Sequence, residues 1–377
     1  MNEAVRIEKV LPSTPQAKLF IGLPCVVYKN NSRYVPWFNR SMKNIIARKH
    51  PFFKHSDGEF FIARRNEETV ARIALIEPKN FNQYQKRKDA RFYFFEAKDD
   101  LPAVRELFQF AEEWARKRGL DRIIGPQGFS GFTGAGILID GFDETAAMTM
   151  MNYNLPYYRE LIEAIGFVKY KDFFSAEINA DLQGLPQKYR TFADLAMKRG
   201  RFHSPELKTK KDLLQLAHQI GKLYNDSWDE HEEFSPMTDE EMDQLIDELI
   251  TVTEPDLVKV LKRNDELAGF ILGFPDISEA IKRAHGRLNP FTFYSMMHEK
   301  KRTQRFLING IGILPKYQKN GGIAILFNEI TKALRARNVS KAEMTQIAET
   351  TDLMIRSIEK LNARIYKTHR VYEKHLK

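Results

Sequence analysis

The chain has 377 residues, 43% of them hydrophobic, with 59 Lys and Arg against 50 Asp and Glu for a formal net charge of +9. That length exceeds one ordinary hydrophobic core and predicts about two domains. One cysteine, Cys25, excludes an internal disulfide and a thiolate metal cluster, the interleaved charges give nucleic acid no concentrated basic patch, and no apolar run approaches the ~18 residues of a membrane span.

Taken in order, Val5–Val10 reads as a strand and is followed by helical material through Ile46, in which the apolar run Leu19 to Tyr28 should bury Cys25 as a small hydrophobe. Glu59 to Arg64 and Glu68 to Glu77 form a hairpin turning near Arg65 to Glu67, and Ala90 to Glu96 is an aromatic strand. Leu101 to Arg118 is a helix: Pro102 suits its first turn, Leu107, Phe108, Ala111 and Trp114 form a stripe, and Gly119 ends it. Arg122 to Ile124 is a strand, Gly125 to Tyr158 a long glycine-rich segment, Pro156 to Ile165 a helix, and Phe167 to Ile178 extended.

The second half repeats that order. Phe202 to Leu207 is strand-like, Lys210 to Trp228 and Thr238 to Thr251 are helical, and Leu257 to Gly273 is a hairpin turning at Asn264-Asp265. Asn, Asp, Gly and Pro gather near Ile178 to Pro186, dividing the chain into domains 1–178 and 179–377. Phe306 to Leu314 is then a strand, Pro315 interrupts it, Lys316 to Asn320 carries a turn, and Gly321-Gly322 open a helix with Ile323, Leu326, Phe327, Ile330 and Leu334 on one face. Lys341 to Ala348, Thr350 to Leu361 and Ala363 to Leu376 add a strand, a helix and an extended tail.

A helix start has unpartnered N–H groups and a positive dipole end, so the turn before Gly322 suits a pyrophosphate. The succession from Ile308 onward, with a P-x-x-Q/R-x-x-G-x-G/A-like turn, resembles the second half of the GNAT acyl-coenzyme A N-acyltransferase fold. The resemblance implies an α/β fold of mixed α+β sheet in two tandem GNAT-like domains, with acetyl-coenzyme A or another acyl-coenzyme A as co-substrate. Its binding residues would be Ile311, Gly312, Ile313, Gln318, Lys319, Asn320, Gly321, Gly322, Ile323 and Ala324. Counted from Pro315, one register places Ile323 at the last small position. The register with Lys319, Gly322 and Ala324 matches fully after one extra residue and sets Phe327 at the helix anchor. In the first half the corresponding strand ends Glu96-Ala97-Lys98-Asp99-Asp100, whose acids would repel a pyrophosphate, so that copy is expected not to bind coenzyme.

Amine acylation needs a base, and often an acid for the leaving thiolate. The Glu that the family carries on the strand before the turn is absent from Phe306 to Leu314, and Ile358 and Asn362 stand where its last-helix Tyr and the following Gly would be. Glu349 and Tyr317 are the substitute catalytic candidates, with the acidic run Asp229 to Glu233 and Tyr294 behind them; His203, His285, His298 and His369 have no paired spacing and receive no role. In the glycine-rich segment Phe129, Phe132, Tyr153 and Tyr158 are candidates for a substrate pocket, against the plainer reading of rings that fix the loop. The expectation is a cytoplasmic protein, monomer or homodimer, with no metal, that transfers an acetyl group to a primary amine of a small molecule or peptide. The alternatives are a non-catalytic coenzyme-binding or interaction module and an aminoacyl-tRNA-dependent aminoacyltransferase.

Overall fold

The computed structural model describes residues 4–130, 132–148, 150–179, 185–228, 233–339 and 341–376. The chain runs β1 (Val5–Val10), α1 (Pro15–Val27), α2 (Asn39–Ile46), β2 (Asp57–Arg65), β3 (Glu68–Glu77), α3 (Lys79–Gln85), β4 (Asp89–Ala97), α4 (Leu101–Arg116), β5 (Arg122–Gly125), β6 (Ile137–Asp140), α5 (Tyr157–Ala164) and β7 (Val168–Asn179). Next come α6 (Gln187–Gly200), β8 (Phe202–His203), α7 (Lys210–Trp228), α8 (Asp239–Val252), β9 (Val258–Arg263), β10 (Glu266–Pro275), α9 (Ser278–Arg283) and α10 (Pro290–Arg302). The last elements are β11 (Arg305–Ile313), α11 (Gly322–Ala336), β12 (Lys341–Ala348), α12 (Asp352–Lys360) and β13 (Arg364–His375). Two compact units emerge: Met1–Phe173 with Ser278–Met296 and Lys367–Lys377, and Phe174–Ile277 with Met297–Tyr366.

In the N-terminal unit β1, β2, β3 and β4 form an antiparallel ribbon, β5 joins β4 in parallel, and the later part of β13 pairs with β5 and β6. All nine residues of β4 are buried because helices cover both of its faces. Ala90 and Phe92 face the α4 stripe of Leu107, Phe108, Ala111 and Trp114. Tyr93 and Phe94 face Phe20 of α1 with Met42 and Ile45 of α2. Phe94 has φ 49°, and the register against β3 slips between Arg72 and Ala74, so a bulge resets the alternation and returns Phe95 and Ala97 to the α4 side. Each buried ring there contributes about 2–3 kcal/mol.

The C-terminal unit centres on β10, which pairs antiparallel with β9 and β11, while β12 joins β11 in parallel. Phe327, Ile330 and Leu334 of α11 reach the core of this sheet, as the helical spacing predicts. Tyr189 and Ala193 of α6 pack on the same core. A full capping box, Thr238 with Glu241, starts α8.

Three expectations change. Cys25 is exposed, because α1 turns Phe20, Leu23 and Pro24 to the core and carries Cys25 round to the outer side. The strand expected at Phe202 to Leu207 is only the two residues of β8. Helices α3, α6, α9 and α10, and strand β6, were not anticipated.

Candidate functional site

In the C-terminal unit the parallel ladder between β11 and β12 is short: Arg305↔Lys341 through Ile308↔Met344, after which β11 continues to Ile313 and β12 to Ala348 without pairing to each other. A bulge against β10 falls at the same place, between Ile271 and Gly273, and Gly310 takes φ 111°. The two strands therefore diverge. The first residue beyond the ladder on each side, Asn309 and Thr345, is 6% exposed, yet the Asn309 amide nitrogen and the Thr345 hydroxyl make no hydrogen bond. Buried polar atoms of that kind are satisfied in a working protein, by water or by a ligand. Glu343, one turn of the pleat earlier, is 1% exposed.

Past the divergence, Pro315–Asn320 makes one 3-10 turn, with the Tyr317 N–H donating to the Leu314 carbonyl at 2.8 Å. Gly321 then adopts φ 79° and is the N-cap of α11, whose start has no side-chain cap. A glycine is required there twice over: the dihedral favours it, and a Cβ would sit 2.8 Å from that of Ala196. The first amides of α11 are therefore left for a ligand or water, beside a positive dipole end.

The corresponding point in the N-terminal unit is closed. The β4–β5 ladder also ends at Arg91↔Ile124, although the Gln127 N–H still donates to the Phe92 carbonyl at 2.9 Å. The helix that follows, α4, has Asp100 as its N-cap, and that carboxylate accepts from the Ala103 N–H at 3.0 Å while Arg65 pairs with it. An internal anion occupies the place that a phosphate would need.

What the N-terminal unit has instead is a pocket at its own divergence, bounded by Phe94, Phe95 and Glu96 of β4, Pro126 after β5, Tyr34 and Trp37, Arg72, and the stretch Met151 to Asn154. Glu96 is 7% exposed. The hydroxyls of Tyr28 and Tyr158 each lie 2.6 Å from its Oε2, and an Arg72 nitrogen is 3.8 Å from its Oε1. Burial pushes the Glu96 carboxyl above its ordinary range, against the pull of Arg72 and the two tyrosines. Burial, then the charge of Glu96, raises both phenols well beyond theirs. Tyr28 Oη is also 2.9 Å from the Tyr153 carbonyl. When Glu96 is protonated it donates to Tyr28, whose own hydroxyl then donates a hydrogen bond to that carbonyl; when ionised it accepts from Tyr28 instead. The cluster can hold or release one proton with little movement of heavy atoms.

The sequence-derived candidates separate accordingly. Ile311, Gly312 and Ile313 form the unpaired end of β11. Gln318 and Asn320 are exposed on the turn, Gly321 and Gly322 start α11, and Ile323 and Ala324 are in its first turn. Lys319 belongs to the turn, and its side chain lies outside the described atoms. Tyr317 donates to Glu266 at 2.6 Å, beyond the point where β11 and β12 part. Glu349 is half-buried in the turn after β12. Residues 229–232 of the acidic run lie outside the described residues. Tyr153 lines the N-terminal pocket and Tyr158 holds Glu96. Phe129 packs among His50, Phe52 and Phe53 instead, and Phe132 is half-buried in its loop. Tyr28, Tyr34, Trp37, Arg72 and Glu96 were not singled out. Among the described residues no cluster of His, Cys, Asp and Glu is suited to a metal, and no helix is long and apolar enough to cross a membrane.

No protein-family model matches the chain. It is similar to the bacterial ceramide synthase of Caulobacter vibrioides (strain NA1000 / CB15N), 29% identical over 382 residues and covering 97% of each chain. It is also similar to protein YghO of Escherichia coli (strain K12), 26% identical, covering 95% of this chain and 93% of that one. Among solved structures, a tandem GNAT protein from the clavulanic acid biosynthesis pathway superposes with a TM-score of 0.58 over 99% of both chains at 12% identity. The fold is GNAT-like, an α/β arrangement with a mixed sheet.

Proposed function

We propose that this GNAT-like chain is an N-acyltransferase whose C-terminal unit, residues 179–377 in the tandem reading, holds an acyl-coenzyme A. The observation that carries the reading is the uncapped start of α11 at Gly321, which follows the diverging end of β11 across the turn Pro315–Asn320. The diphosphate would take the free amides of α11, and Asn309 and Thr345 would offer hydrogen bonds to the amide-bearing arm. The name of the Caulobacter relative supports a finer choice of substrates. A ceramide is an amide between a fatty acid and a long-chain amino alcohol, so we take the donor here as a fatty acyl-coenzyme A, with acetyl-coenzyme A the lesser alternative, and the acceptor as an amphiphilic amine. In that reaction the neutral amine attacks the thioester carbonyl, the C–N bond forms as the C–S bond breaks, the ammonium proton passes to a base and the thiolate is protonated.

A second reading places the chemistry in the N-terminal pocket, and the Glu96 cluster favours it: a buried carboxyl that exchanges one proton through two phenols is suited to general base work.

Calorimetric titration with coenzyme A and with palmitoyl-coenzyme A tests the donor site. Replacing exposed Gln318 and Asn320 with Glu puts two charges beside the α11 amides without touching the core. Affinity should fall about tenfold or more, with the melting temperature unchanged. Absence of saturable binding by the unaltered protein sinks the proposal. Amide formation with sphinganine then separates the two readings: Glu96→Gln abolishes turnover with donor binding intact if Glu96 is the base, and leaves turnover intact if the proton goes elsewhere, as to Glu349.

A further inference from the structure

The segment between β10 and β11 carries α9 and α10, and its surface is unlike the rest of the chain. Phe291 is 85% exposed, Tyr294 73%, Phe293 48% and Leu288 46%, four large apolar side chains within seven residues. Single exposed hydrophobics need no explanation, whereas a contiguous group does. Helical spacing places Phe291, Tyr294, His298 and Lys301 along one exposed face of α10, while Thr292 and Met296 turn inward. The group is not a frayed loop. Thr292 Oγ1 donates to the Arg287 carbonyl at 2.9 Å, its N–H donates to Asn289 Oδ1 at 2.9 Å, and the Gly286 carbonyl accepts from the Asn39 N–H at 2.8 Å. The rings are held outward on a fixed support.

Their flanks are cationic. Arg283, His285 and Arg287 are exposed before the helix, and Lys301 and Arg302 after the aromatic turns. Aromatic rings with a polar edge or flanking cations favour the headgroup layer of a bilayer, where the ring reaches the acyl boundary and the cations meet lipid phosphates. We infer that Leu288, Phe291, Phe293 and Tyr294, with Arg283 and Arg287, form a docking surface for an anionic lipid bilayer, on which the protein rests without spanning it. The inference stands on this patch alone. The acyl-transfer reading gives it a use, since an amphiphilic acceptor and a fatty acyl donor both partition into membranes.

The test is sedimentation of the full chain with vesicles of phosphatidylcholine alone and of phosphatidylcholine mixed with phosphatidylglycerol. The unaltered protein should pellet with the anionic vesicles, and raised salt should release it. Phe291→Ser with Tyr294→Ser should lower the partition coefficient at least tenfold, on the order expected for several buried CH₂ equivalents. Arg287→Glu should lower it more than fivefold on anionic vesicles and change little on neutral ones. All three side chains are exposed, so unchanged far-ultraviolet dichroism and melting should accompany the losses. No association by the unaltered protein, or association that ignores both variants, overturns the proposal. So does a dimer in sedimentation velocity that Phe291→Ser dissociates, because the occupant would then be a second copy. Coenzyme A titration keeps the outcomes apart: the aromatic variant should bind coenzyme A as before, and the Gln318→Glu, Asn320→Glu variant should bind vesicles as before.

Discussion

His369 has no exposed surface, and its Nε2 is 2.8 Å from the carbonyl of Asn152. A carbonyl only accepts, so Nε2 carries the proton and Nδ1, which has no partner, is bare. Burial lowers its pKa from 6.5 to about 3; the bond to Asn152 opposes that shift and Lys367 adds to it. The native state therefore refuses a proton that the unfolded chain accepts. The corresponding stability is complete above pH 6.5 and is lost as pH falls toward 3, at about 1.4 kcal/mol per pH unit. Between pH 6.5 and 5 the carboxylates held low by ion pairs, Asp57, Glu59, Asp172 and Glu177, are still ionised in both states and add little slope. Urea midpoints measured across that window should decline for the unaltered protein and stay flatter for His369→Gln. At this scale the sequence was least legible. Tyr28, Glu96 and Tyr158 are far apart in the chain, and nothing local indicates that the end of α1, β4 and α5 bring both phenol oxygens within 2.6 Å of the Glu96 carboxylate. In the sequence Glu96 is only a charge near a helix start, whereas the bulge at Phe94 sets it inward.

Elements with strong local signals were legible. The α4 stripe, Pro102 and Gly119 locate that helix, and the β2–β3 and β9–β10 hairpins turn at Asn66 and Asn264, which both take positive φ, 53° and 54°. The α10 helix was not, because its large side chains face solvent as well as the core and blur the periodicity on which such readings rest. Two helix starts that look alike in outline differ in one residue type, Asp100 at α4 and Gly321 at α11. Asp100→Ala should cost about 1–2 kcal/mol by removing both the cap and the partner of Arg65, and Asp100→Asn, which keeps a capping oxygen, should cost less. Chemical denaturation checks both. The same substitution on α11, Gly321→Ala, acts by a different cause: φ 79° and the contact with Ala196 leave no comfortable place for a methyl group.

For the molecule as a whole, the repeated order of strands and helices was visible in the sequence, and it matches the GNAT-like fold. The partition of the chain was less so. An expected cut at residue 178 stands near Phe173/Phe174, but the segments Ser278–Met296 and Lys367–Lys377 go with the N-terminal unit. Strand partners distant in sequence leave no local trace.

That return of the last strand has a temporal consequence. Arg370 pairs with Ile137, and Tyr372 to His375 pair with Gly125 to Arg122, so β5 and β6 obtain this neighbour only when residues 370–375 have left the ribosome. At about 5–20 residues per second, the nascent N-terminal segment waits on the order of 10–40 s after its own synthesis. Throughout that interval the aliphatic edge of β5, Ile123 and Ile124, is open to mispairing. A chain stopped at Tyr366 should reproduce the waiting state: the β5 amides that face β13 should exchange with deuterium at once, while those facing β4 and those of β9 and β10, whose partners are all present, remain slow.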